Sequence, residues 1–302
     1  MVIAILLTLT VGILWSLVGL FYKMIAQYKL SVFNISCVTN LVSLTVMSFL
    51  LGRELSRLPE IPVPPAWFVL FMLFTGVINC GGSLMLQRSM VYGRSGVTWA
   101  IGQSSLVVPF VAITLIFGEV WSSFRLTGTA LVLGGMATLG LRKEPEDTAA
   151  APRPQYGIVL ALIAFAVLGA AQSMMSASSY LPYADSVGMR PVLLSTGSIV
   201  AILAGKWLLH DRGWTFSRRA WLIVLGLSLE GVAALYLQFR ALDRLKACGM
   251  NSIFFPIAVG TCIAVYSFWA AVVFHEKPDR RTVGGTLLIL AGIACYCLET
   301  SR

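Results

Sequence analysis

Long apolar runs, broken by short polar stretches, decide what this chain can fold into. Ten of them cover residues 2–22, 31–52, 66–87, 95–117, 123–141, 155–176, 190–209, 220–240, 249–274 and 282–299. About 20 apolar residues cross a bilayer as a helix, whereas a barrel strand is about ten residues of alternating polarity. The runs are too long and too evenly apolar for strands. The expectation is an all-α polytopic membrane protein with ten transmembrane helices. Breaks such as "GRELSRLPEIPVPP" and "KPDRR" hold the charge and the helix-stopping prolines. The first run has no basic leader and no small-residue cleavage site, so it reads as a retained span.

Composition narrows the function classes. Only 12% of residues are charged and 58% are hydrophobic, against about 25% charged in a soluble domain. Membrane lipids must therefore solvate most of this surface. The net charge of +9 sits in loops flanking the spans, where anionic lipid attracts Lys and Arg. With no basic face and interleaved aromatics outside the spans, nucleic acid is not an expected partner. Six cysteines, Cys37, Cys80, Cys248, Cys262, Cys295 and Cys297, lie in or beside spans and read as free small hydrophobes.

The most hydrophilic break, "RKEPEDTAAAPRPQ", follows the fifth run. It divides the chain into residues 1–141, a linker at 142–154, and residues 155–302. The two parts contain a repeat. "FGEVWSSFRLTGTALVLGGMATLGL" from Phe117 aligns without a gap to "FHEKPDRRTVGGTLLILAGIACYCL" from Phe274. Phe117/Phe274, Glu119/Glu276, Gly128/Gly285, Thr129/Thr286 and Gly135/Gly292 coincide. Five spans per unit force the second copy to enter the membrane inverted, a recurring construction in secondary transporters.

A Phe-x-Glu in a short loop, a polar gap, and then a Gly-rich "GTALVLGG" or "GTLLILAG" helix resembles the EamA-type repeat of the drug/metabolite transporter superfamily. Trp15 and Lys23 in the first span, and Pro109 ten residues before Glu119, support the resemblance over essentially the full chain. Two positions depart from it. His275 stands where that family often has glycine, and Pro256 lies twenty residues before Glu276. The resemblance implies two inverted five-helix repeats around a central cavity, with the last helix of each half peripheral.

Candidate site residues follow from polarity inside the spans. In "LIVLGLSLEGVAALYLQF", Glu230 lies near mid-membrane, where an ionised acid costs roughly 2.5–3.5 kcal/mol on insertion scales. The cost falls if the group faces a wet cavity or a partner, or carries a proton. Residues four apart share a helix face. Thr75, Asn79, Ser83 and Gln87 thus form one stripe, and Gly226, Glu230, Ala234 and Gln238 another. Repeat alignment places Asn79 opposite Glu230 and Gln87 opposite Gln238. Trp99 with Gln103, and Gln172 with Ser176, are further pairs. Each could line a cavity or join helices, since a polar contact between membrane helices averages only about 0.6 kcal/mol.

The expected substrate-binding set is Asn79, Gln87, Trp99, Gln103, Gln172, Glu230 and Gln238, with Glu230 as the proton-coupling group. Lys23, Arg88, Lys206 and Arg240 lie at span ends and are expected to snorkel. Glu119 and Glu276 are expected to orient the turns they occupy. Gly134, Gly135, Gly285 and Gly292 suit close helix packing; Gly81 and Gly82 suit bending.

Enzyme motifs fail. "HEKPD" starts like a zinc-protease signature but ends in Asp279. No Walker loop or G-x-S-x-G elbow occurs, and the only histidines are His210 and His275. Neither metal nor cofactor is expected, and the chain is not expected to be an enzyme. The reading is a secondary transporter of the plasma (bacterial inner) membrane, monomer or homodimer. It would move a small polar metabolite by alternating access, with proton or cation coupling. A sugar-uptake porter of the same superfamily is the nearest alternative, and a lipid-handling enzyme the more distant one. The Lys/Arg distribution favours both termini outside; the resemblance implies both inside.

Overall fold

A computed structural model describes residues 1–28, 30–57, 64–93, 95–141, 154–182, 188–208, 217–273, 275 and 278–299. The linker from 142 to 153, His210 and Glu276 lie outside the described residues. The described residues are almost wholly helical, without strands. The helices are α1 (Val2–Gln27), α2 (Val32–Arg57), α3 (Ala66–Tyr92), α4 (Ser95–Gln103), α5 (Val107–Phe117), α6 (Ser123–Gly140), α7 (Pro154–Ser178), α8 (Met189–Leu208), α9 (Arg218–Ala247), α10 (Phe254–Val273) and α11 (Arg280–Glu299). Among the described residues nine spans are long and apolar enough to cross a membrane, α4 and α5 counting together as one. α6, with 18 residues and Arg125 in its first turn, is the shortest of the expected ten.

The fourth run is interrupted one turn ahead of its proline. Pro109 has no N–H to return to the carbonyl of Ser105, and Ser104–Leu106 tightens into a 3₁₀ turn between α4 and α5. In the ninth run a 3₁₀ turn at Asn251–Ile253 leads into α10. Pro256 falls in the first turn of α10, where its missing N–H would have had no intrahelical partner.

Successive spans run up and down. The starts of α1 and α10, and the ends of α5, α7, α9 and α11, share one end of the bundle. Arg281 donates to the carbonyl of Leu141 at the other end, where α6 ends and α7 begins. These are called here the terminal end and the linker end.

Small residues set the packing. α6 crosses α11 so closely that a Cβ on Gly135 would sit 2.5 Å from the Gly285 carbonyl, and one on Gly292 2.7 Å from that of Gly128. Within this crossing Thr129 and Tyr296 share a hydrogen bond of 2.6 Å. Gly134, expected to pack, meets nothing within 4 Å, because it sits one residue round the helix from the contact face. Gly82 packs on Leu168 while Gly81 faces open space. Elsewhere α3 packs on α7 and α8, and α9 packs on α1 and α2.

The outer wall is apolar. Trp67, Leu70 and Phe74 of α3, Leu115 and Ile116 of α5, and Leu222, Leu225 and Leu229 of α9 are all exposed. A soluble monomer does not tolerate such a belt; hydrocarbon does. Helices bond most of their backbone groups internally, as the bilayer requires.

The turns preceding α6 and α11 are capped alike. Ser122 accepts from Arg125 N at 3.1 Å, and Asp279 accepts from Thr282 N at 2.7 Å. Gly118 has φ +69° and His275 φ 53°, so both occupy the left-handed region.

Candidate functional site

The α9 stripe separates lipid from interior. Leu229 is 74% exposed on the outer face, while its neighbour Glu230 is 7% exposed and turned inward. Among the described residues the Glu230 carboxylate makes no hydrogen bond and no ion pair. It interacts electrostatically with Tyr22 of α1 and Cys262 of α10. Tyr22 lies near Gln87 on α3, Ser36 on α2 and Cys80 on α3. Glu230 and Gln87 therefore belong to one neighbourhood drawn from α1, α2, α3, α9 and α10. Tyr22 joins them, and the sequence reading did not single it out. Its only signal was a polar side chain one position before Lys23.

The other expected residues divide. Gln238 is buried two turns beyond Glu230 and donates to the Met175 sulfur at 3.2 Å. Gln172 is buried and accepts from Ser105 at 3.4 Å, joining α7 to the 3₁₀ turn. Nearby, the buried hydroxyl of Ser176 has no hydrogen-bond partner among the described residues. These contacts lie between Glu230 and the terminal end. Asn79 is half-buried on α3, and its carbonyl accepts from Ser83 at 2.9 Å. Trp99 and Gln103 are half-buried on α4, with Trp99 packed against the main core. On the terminal side, Trp15 stands edge-on to Phe254 and stacked on Phe255, each at 6.2 Å.

Lys206 corrects an expectation. It does not reach outward: it is buried and donates to Asn34 Oδ1 across the α2–α8 contact. Arg88 and Arg240 are exposed, and Arg240 donates to Tyr236 at 2.7 Å.

The terminal end carries a dense buried network. Glu119, in the turn after α5, accepts from Asn251 N at 2.6 Å and from Ser252 N at 3.0 Å. The Ser252 hydroxyl and the Tyr180 phenol each donate to it at 2.6 Å. Arg125 reaches Glu119 at 3.5 Å, Glu299 at 2.9 Å and the Gly249 carbonyl at 3.1 Å. Arg190 pairs with Asp243, donates to Ser178 and Ser179, and lies 4.7 Å over the Phe239 ring. Burial, and then its bond to Glu119, push the Tyr180 phenol up from its ordinary range. The expectation that Glu119 orients its own turn understates its contacts. Four of its five bonds go to the second half of the chain, a pairing that local sequence does not signal.

No family model matches this sequence, and no curated protein matches it. Among solved structures, a crystal structure described simply as that of a protein superposes with a TM-score of 0.75. It covers 98% of this chain and 98% of that one at 14% identity. That likeness establishes a shared fold and carries no function with it.

Proposed function

We propose that this chain is a secondary transporter of the EamA type, built as two inverted five-helix repeats, that moves a small polar metabolite by alternating access. One observation carries the reading. Glu230 is a buried mid-membrane carboxylate without a hydrogen-bonding or ionic protein partner among the described residues. Burying a charge is tolerable when a partner or water meets it. In a transporter that partner is the substrate or a proton that comes and goes.

Several features support the repeat. Ser122 and Asp279 cap the aligned turns in the same way, Gly118 and His275 adopt the same backbone state there, and the α6–α11 crossing uses glycines reciprocally. Packing of α3 on α7 and α8 corresponds, under the repeat, to packing of α9 on α1 and α2. Exposure along this stretch of chain is one-sided. From Asn251 to Thr261 every residue of the α10 strand of contacts is buried, whereas from Cys262 onward most are partly exposed. Entry from the linker end to Glu230, Tyr22 and Gln87 is the arrangement this supports, with Gln238 and Gln172 deeper along the path.

The test is reconstitution of the full chain in liposomes, with uptake and efflux measured over a metabolite panel with and without a pH gradient. Flux of at least one compound that depends on Glu230 supports the reading. Absence of flux across the panel, together with chemical alteration of a lipid, would replace it with an enzyme.

A further inference from the structure

Glu119 ties the beginning of α10 to the first half of the chain, and α10 leads straight into the candidate site. We infer that Glu119 is the positioning residue that latches the terminal end shut, acting on the site through α10. The carboxylate accepts from two consecutive backbone N–H groups, those of Asn251 and Ser252, at the turn that opens this helix. Such bonds are charge-assisted and reinforced by the helix dipole. Immediately after that turn come Phe254 and Phe255, whose rings pack on Trp15 of α1. Two turns further on, Cys262 lies within electrostatic reach of Glu230. One rigid helix therefore links the latch, the aromatic block and the site wall.

The latch joins the halves. Glu119 and Arg125 come from the first; Asn251, Ser252, Tyr180, Gly249 and Glu299 come from the second. Opening this end requires the carboxylate to leave four donors of the second half and exchange them for water. Tyr180, stacked on Phe117 at 4.0 Å, covers the latch with an aromatic ring. Glu119 touches no part of the Glu230 neighbourhood, so its effect on the site runs through the placement of α10.

This inference rests on the transporter reading, in which the terminal end must open during the cycle, but its test needs no substrate. The full chain is held in membranes with Cys248, the exposed native thiol, replaced by serine. An Ile253→Cys reporter is placed on the buried turn beside Ser252, and a Val132→Cys reporter in the buried middle of α6. A membrane-impermeant maleimide is then applied from the side bearing the termini. With Glu119→Gln, labelling at position 253 should rise at least about tenfold while position 132 stays protected. Glu119→Asp, which keeps the charge, should restore much of the protection.

An unchanged rate at 253 in Glu119→Gln would overturn the latch. An equal rise at both reporters would also overturn it, by reducing Glu119 to a residue needed only for folding. Liposomes that show no flux while the 253 reporter responds as expected would remove the transport reading and leave the latch standing.

Discussion

At the terminal end, Glu119, Arg125 and Arg190 are buried and each meets several partners drawn from separate helices. Around Glu230, the described polar groups are thinner: the Tyr22 phenol and the Cys262 thiol lie near a carboxylate that neither ion-pairs, and Gln87, Ser36 and Cys80 reach only as far as Tyr22. The same residue type, glutamate, therefore has two fates in one bundle. Where it is saturated with donors it serves as a structural tie. Where it is buried without them, as at Glu230, it has no hydrogen-bonding or ionic partner among the described residues. The two carboxylates thus sit in opposite environments at different depths, and substitutions should separate them.

The largest effect on stability is expected from Glu119→Ala. Removing one partner of a buried ion pair typically costs roughly 3–5 kcal/mol, and here Asn251 N, Ser252 N and the Ser252 hydroxyl lose their acceptor as well. Thermal unfolding in detergent should show a clear fall in midpoint. A change of less than about 1 kcal/mol would mean that water replaces the carboxylate freely, and the contrast between the two carboxylates would fail.

Glu230→Gln should do the reverse. With no bond to break, it should leave the unfolding midpoint unchanged or raised. Flux, or binding of a transported compound, should fall about 10- to 100-fold, the worth of a hydrogen bond to a charged group of roughly 1.5–3 kcal/mol. Lost stability with unaltered flux would assign Glu230 to helix packing.

The spans were legible because membrane insertion acts on runs of side chains, and each of the ten expected segments contains a helix. The boundaries were less legible: α1, α2 and α3 each run five residues past their expected ends, and α9 continues to Ala247, past the expected end at 240. Asp243, Arg244 and Lys246 look like a loop by composition. In the fold Asp243 pairs with the buried Arg190. The inward face of Glu230 was legible from the four-residue spacing of its stripe. Tyr22 and the reach of Glu119 were not, because their partners lie on helices distant in sequence. Lys206 was misjudged for the same reason: a lysine at a span end snorkels unless a buried acceptor such as Asn34 stands beside it.

Tyr180 sharpens the terminal side of the comparison. Tyr180→Phe removes one donor from Glu119 at a half-exposed position, and should cost about 1 kcal/mol, less than the loss of Glu119 itself. Its pH dependence has a defined sign. The phenol is held above its unfolded value of about 10, so its contribution is complete below that pH and is lost as pH rises further. Unfolding midpoints of the parent protein and Tyr180→Phe, compared from pH 8 to 11, should differ most at pH 8 and converge toward pH 11. A constant difference would place the phenol's ionisation outside the latch.

The smallest expected effect compares the two aligned turns directly. Gly118 at the terminal end and His275 at the linker end both have positive φ, a conformation that costs an L-residue roughly 1–2 kcal/mol and glycine little. Glycine also loses more chain entropy on folding, so the net change on exchange is smaller than the steric cost. His275→Gly should therefore stabilise by about 0.5–1 kcal/mol, and Gly118→Ala should destabilise by a similar amount. Neither side chain lies in the Glu230 neighbourhood, so flux per folded molecule should hold if the turns only set geometry. A flux change with His275→Gly at unchanged stability would instead show that the linker-end turn is under strain for a purpose, and that the aligned turns are not equivalent in the working cycle.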